Sequence, residues 1–153
     1  MQLEDLAAVH MIEQEVMETS WSEKQVRSEC EYTESVQLVA EAEGRVCGYV
    51  FFRWCGPDSE LMRIGVAPLM RKLGIGGALV DKGLTLLAEK DVEQCFLEVR
   101  ASNVSAQHFY LGKAFLHQGM RPKYYRNPVE AAVLMKRRVI MRPGEGCENT
   151  SRH

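Results

Sequence analysis

With 153 residues, a net charge of -2, 46% hydrophobic and 26% charged residues, the chain has the size and balance of one soluble globular domain. That charge gives no support for a nucleic-acid binder, the acidic opening MQLEDLAAVHMIEQEV is unlike a signal peptide, and no apolar run reaches membrane-spanning length. Five cysteines without metal-ligand spacing point to reduced thiols, no metal site and a cytoplasmic setting, with Cys47 and Cys95 as small core residues.

Leu3, Leu6, Ala7, His10, Met11 and Val16 recur at helical spacing, which predicts a first helix from about Glu4 to Glu18. Ser22 followed by Gln25 is a capping-box pattern that opens a second. Ser35 to Glu43 alternates like a strand and turns at Glu43-Gly44-Arg45 into another, Val46 to Arg53. Trp54 to Asp58 is expected to be a loop, and the apolar run Leu61 to Val66, bounded by Pro68, a buried strand.

Gly74-Ile75-Gly76-Gly77 comes next, followed by Leu79, Val80, Leu84, Leu86 and Leu87 at helical spacing. A strand, a glycine-rich turn and a helix make an anion cradle. Unpartnered amides and the dipole favour negative charge at the helix start, and Arg71 and Lys72 add positive charge. The spelling is neither GxxxxGK[ST] nor GxGxxG, and the same glycines would also serve an ordinary strand-to-helix turn.

Gln94 to Val99 reads as a further strand, Ser105 to Leu111 as a short helix capped by Asn103, and Gln118 to Tyr125 and Ala131 to Arg137 as a last pair of strands. The whole is mixed α/β with a partly antiparallel sheet, the Leu61 and Gln94 strands running parallel. Residues 1–142 form one domain, and 143–153 form a polar tail expected to be disordered.

Alternation places Gln94, Phe96, Glu98 and Arg100 on one strand face and Cys95, Leu97 and Val99 on the other. An acid on such a strand needs a reason. It either pairs with Arg100 or Arg63, or it performs chemistry at the carboxyl ends of the parallel strands, where ligands of open α/β sheets sit. Tyr110 on the following helix lies within folding reach of the same mouth. His108 reads as surface or packing, Trp21 as core before groove wall, and Met135 and Met141 as core or strand-end fillers.

The Arg71-x-x-Gly74-x-Gly76 loop, Trp21-Ser22-Glu23-Lys24, the stretch LEVRASN ending at Asn103, Tyr110 and Tyr124-Tyr125 together resemble the RimI-type ribosomal-protein alanine N-acetyltransferases of the GNAT superfamily, from about Leu6 to Met141. The resemblance implies the GNAT fold: a central, mostly antiparallel sheet with a parallel pair at the acetyl-CoA cleft, flanked by helices. It implies acetyl transfer from acetyl-CoA to the N-terminal alanine of small-subunit ribosomal protein eighteen, with Glu98 as general base and Tyr110 as general acid. Ile64, Gly65 and Val66 would bind the acetyl and pantetheine part, Lys72, Leu73, Gly74, Ile75, Gly76 and Gly77 the pyrophosphate, and Asn103 the cofactor as well. Arg71 matches the loop's first position. Tyr124 and Tyr125 would line the peptide groove or pack between strands. The protein N-terminus is then the partner, without nucleic acid or membrane, and the enzyme a monomer or weak dimer.

Three departures stand out. Only Met1 to Leu3 precede the first helix, where the superfamily usually has a strand, so either the sheet lacks that edge or the true start lies upstream. Ala114 replaces the family's glycine before Phe115, and Ala67 stands where Asp or Asn is common. Two other functions compete: transfer to different protein N-termini or small amines, and a non-catalytic acyl-CoA-binding module. A mere binder needs neither Glu98 nor Tyr110.

Overall fold

The computed structural model describes residues 1–17 and 19–140. Glu18, Met141, Cys147 and the expected tail lie outside the described residues. A short 3-10 turn, Leu3–Asp5, leads into α1 (Leu6–Val16), with the Asp5 carboxylate accepting the Gln2 N–H at 2.7 Å. The helix α2 (Glu23–Glu31) opens with the expected capping box, Gln25 N–H donating to Ser22 Oγ and Ser22 N–H to Gln25 Oε1.

Strands β1 (Ser35–Ala42) and β2 (Arg45–Cys55) form an antiparallel hairpin closed by Glu43-Gly44. The loop expected over Trp54 to Asp58 is instead two strand ends around a two-residue turn. Cys55 pairs with Asp58, and Gly56 takes φ +57° at the first turn position, a conformation two-residue hairpins require. The strand β3 (Asp58–Val66) then leads to α3 (Ile75–Ala88), β4 (Gln94–Arg100), α4 (Val104–Gly112), β5 (Leu116–Tyr125) and β6 (Glu130–Arg138).

These six strands form one sheet in the order β1-β2-β3-β4-β6-β5, antiparallel except for the β3–β4 pair. Alternation along the strands supplies both faces with apolar side chains. On one face Val50, Phe52, Leu61, Leu97 and Val99 pack with Leu79, Val80, Leu84 and Leu87 of α3 and with Tyr110 of α4. On the other, Tyr49 and Phe51 pack with Leu6, Val9 and Ile12 of α1 and Val26 of α2. This second core covers β1 to β3 and leaves Phe96, Glu98 and Arg100 on an open floor.

Cys47 and Cys95 are buried as expected. Trp21, partly buried, stacks on Phe51 at 5.7 Å and packs against the second core. Residues 1–3 form no strand. Met1 instead reaches the outer edge of β1, its ammonium donating to Gln37 O at 3.4 Å.

Candidate active site

The parallel ladder between β3 and β4 is short: Asp58, Ser59 and Glu60 pair with Gln94, Cys95 and Phe96, and there it stops. Beyond it, Ile64, Gly65 and Val66 stay with β2, while Leu97 to Arg100 stay with β6. The sheet therefore divides at the carboxyl ends of its parallel pair. Two strand edges face each other without a ladder between them, open to a ligand's amides. Gly65 lines this opening because nothing larger fits: a Cβ there would stand 2.6 Å from the Tyr49 ring.

Past Val66 the chain turns through Pro68–Met70 to Arg71, Lys72, Leu73 and Gly74, all exposed. Gly74 caps α3 with φ +81°, a left-handed geometry that favours glycine. The first helical hydrogen bond is Ala78 N–H to Gly74 O at 3.0 Å. The N–H groups of Ile75, Gly76 and Gly77 precede it and point outward at the positive end of a 14-residue helix. With Arg71 and Lys72 beside them they make an anion cradle next to the split.

On the open floor, Glu98 has neither partner expected from the sequence. Arg63 is taken by Glu13 at 2.7 Å, and Arg100 by Glu130 at 3.2 Å. The alternation argument held, but the register of β5 brings up a different cation: Arg121 Nη1 lies 3.6 Å from Glu98 Oε1. Hydrogen bonding to Glu98, reinforced by burial, holds the Tyr124 hydroxyl above the ordinary phenol range. Tyr124 and Tyr125 rings meet edge-on at 5.1 Å, and Arg100 lies over Tyr125 at 4.5 Å. No local pattern in the sequence marks Arg121, because two register shifts in β5 decide where it points.

Tyr110 lies in the core on the α3 side of the sheet, 8% exposed, between Phe109 and Phe115 at ring distances of 5.2 and 5.8 Å. Burial raises its hydroxyl well above the ordinary value, with the Cys95 and Tyr125 charges adding, so the proton stays on at neutral pH. Asn103 is the helix cap that the sequence predicts, its Oδ1 accepting Ala106 N–H at 3.1 Å. His108 is exposed. Among the described residues no group of three or more His, Cys, Asp or Glu gathers as a metal site, and no helix is long and apolar enough to cross a membrane.

A carboxylate thus lies on the open face of a split sheet beside an anion cradle, an arrangement suited to acyl transfer from an anionic carrier. Known proteins agree. The profile of the acetyltransferase (GNAT) family matches residues 6–114. The ribosomal protein bS18-alanine N-acetyltransferase of Escherichia coli K12 is 31% identical over 122 residues, covering 79% of this chain and 81% of that protein. The crystal structure of the ribosomal-protein-S18-alanine N-acetyltransferase from Escherichia coli superposes with a TM-score of 0.84 at 27% identity, over 93% of this chain and 92% of that one. Arabidopsis thaliana NAA60 in complex with acetyl-CoA shares the fold, with a TM-score of 0.80 at 16% identity over 90% and 95% of the two chains. The chain belongs to the GNAT acetyltransferase family and is an acetyl-CoA-dependent N-acetyltransferase.

Proposed function

We propose that the chain acetylates the N-terminal alanine α-amine of small-subunit ribosomal protein S18, with Glu98 as general base and Tyr110 as general acid. The observation that supports this reading is that the β3–β4 ladder ends at Glu60 and Phe96, two residues before Glu98 on the same strand face. The likeness to the bS18-alanine enzyme over 79% of the chain supports the acceptor.

Acetyl-CoA supplies an acetyl group already activated as a thioester. The residues here fit its shape and charge. The backbone from Lys72 to Gly77, with Arg71, holds the pyrophosphate at the start of α3. The free edge at Ile64, Gly65 and Val66 receives the pantetheine amides. Asn103, which caps α4, would add a further cofactor contact.

A protein α-amine has a pKa of about 7.7–8.0 and arrives mostly protonated at neutral pH. Glu98 takes that proton, directly or through a water, which frees the nitrogen lone pair. As the N–C bond forms and the C–S bond breaks, the nitrogen sheds its second proton to solvent and Tyr110 gives its proton to the sulfur that leaves. Tyr110 recovers a proton from solvent, and Glu98 releases one. The acetyl group passes directly from sulfur to nitrogen, so no cysteine acts as a nucleophile.

The test is transfer from acetyl-CoA to short peptides beginning with alanine, beside the same peptides with a blocked α-amine and an internal lysine. Transfer to the free N-terminus alone supports the reading and leads to whole S18 as acceptor. Transfer only to lysine or to small amines moves the enzyme to another acceptor class. Tight acetyl-CoA binding without transfer to any amine overturns catalysis altogether.

A further inference from the structure

We propose that Arg121 guards Glu98 in the free enzyme and passes to Glu60 when the acceptor's α-ammonium arrives, so that Glu60 and Arg121 act together as positioning residues. This rests on Glu98 being the base for an amine acceptor.

The geometry gives Arg121 two carboxylates to choose between. Glu60 on β3 pairs in register with Phe96 on β4, two residues before Glu98 and on the same open face. Its neighbours Ser59 and Leu61 turn into the core instead. Glu98 presses on the Glu60 carboxyl and, after burial, keeps its pKa above the usual carboxylate range, while Arg121 and Arg53 pull the other way. All four charges therefore share one patch.

Their pairing is unequal. Arg53 is committed to Glu29 through three hydrogen bonds of 2.7–3.0 Å. Arg121 sits with Glu98, and among the described residues no hydrogen bond or ion pair reaches the Glu60 carboxylate. The Arg121–Glu98 contact is long, 3.6 Å, and the Arg121 side chain is 58% exposed. An exposed pair at that distance is weak, so an arriving ammonium can displace the guanidinium.

Charge counting explains why a second carboxylate is useful. With Arg53 neutralised by Glu29, the remaining Glu60, Glu98 and Arg121 sum to minus one, and an ammonium brings these three groups to neutrality. Without Glu60, two cations would compete for one carboxylate. With it, each cation has a partner, and the ammonium holds the one beside the cleft. Arg121 already lies 5.6 Å above the Tyr124 ring, which can steady the guanidinium in either position.

A double-mutant cycle tests the exchange, with acceptor KM and kcat measured for wild type, Glu60→Gln, Arg121→Gln and the double variant on one alanine-terminated peptide. Thermal melts and acetyl-CoA binding confirm that each variant is folded. Glu60→Gln is expected to raise acceptor KM by about 5-fold or more, an effect that falls away once Arg121 is gone, as coupled neighbours require. Arg121→Lys keeps the charge and should keep the Glu60→Gln effect, which also serves if Arg121→Gln fails to fold. An unchanged KM in Glu60→Gln, or an equal effect with and without Arg121, overturns the exchange. Wild type that acetylates only another class of amine overturns the alanine reading, and the cycle is then run on that amine. Wild type inert towards every amine overturns both.

Discussion

Arg63 Nε and Glu13 Oε1, fifty residues apart in sequence, meet at 2.7 Å, and the Glu13 side chain is wholly buried. Arg63 Nη2 adds a second bond at 2.9 Å, Trp21 N–H a third at 2.7 Å, and the Tyr49 hydroxyl a fourth. One carboxylate thereby ties α1, the Trp21 segment, β2 and β3 together beside the open floor. Removing it would leave a half-buried guanidinium short of its partner and the buried Tyr49 hydroxyl without an acceptor. Glu13→Ala is expected to cost about 3–5 kcal/mol, the range for breaking a buried pair. Denaturant unfolding of the two proteins checks this, and a loss under 1 kcal/mol would show that water replaces the carboxylate.

The same cluster sets an acid limb. Burial pushes the Glu13 carboxyl up, but hydrogen bonds from Arg63, Tyr49 and Trp21 outweigh it and leave the value lowered. A carboxyl lowered by folding contributes stability in full above its unfolded pKa, about 4.3, and loses it as the pH falls through the folded value. Wild type should therefore lose stability below about pH 4.3 more steeply than Glu13→Gln does. Parallel curves for the two proteins between pH 6 and pH 3 would assign the acid loss to other carboxylates.

Ala114 pays a local penalty for its place. It takes φ +68° directly after α4, where Phe115 N–H bonds to Tyr110 O and Ala114 N–H to Leu111 O, both at 3.0 Å. That is a Schellman ending, whose left-handed residue is usually glycine. Ala114→Gly removes the Cβ strain and loses some of that gain to greater freedom in the unfolded chain. The net expectation is about 0.5–1 kcal/mol of added stability, seen as a melting temperature higher by about 2 °C. A lower melting temperature would mean that the methyl group's packing outweighs the strain.

Local chemistry made much of this molecule readable before its fold was known. Ser22 with Gln25, the Glu43-Gly44 turn and the Asn103 cap each depend on residues within a few positions. Alternation alone placed Glu98 on the face opposite the core. Partners across the sheet were less readable. Arg63 belongs to Glu13 because α1 packs over β3, and Arg121 reaches Glu98 because β5 slips register, and neither event leaves a local trace. The Trp54 to Asp58 segment misled for a related reason. Gly56-Pro57 is a strong break, yet pairing of Trp54 with Ser59 and Cys55 with Asp58 extends both strands up to it.

Glu98→Gln and Tyr110→Phe separate the two proposed proton transfers. Each keeps the size of its side chain, so neither should disturb the cleft. Glutamine cannot take the ammonium proton, and kcat should fall by about 10²–10⁴ while acetyl-CoA binding persists. Phenylalanine preserves the packing against Phe109 and Phe115 but has no proton to give the departing sulfur. A fall of about 10² in kcat is expected there, with acceptor KM little changed. Because burial holds the Tyr110 proton on, wild type should show no alkaline loss of rate from this group below about pH 10, the unperturbed phenol value. Steady-state rates from pH 6 to pH 10 measure all three proteins. If Tyr110→Phe turns over at the wild-type rate, the sulfur takes its proton from elsewhere, and Tyr110 is a wall of the cleft. If Glu98→Gln loses acetyl-CoA affinity along with turnover, Glu98 supports the cleft rather than the amine.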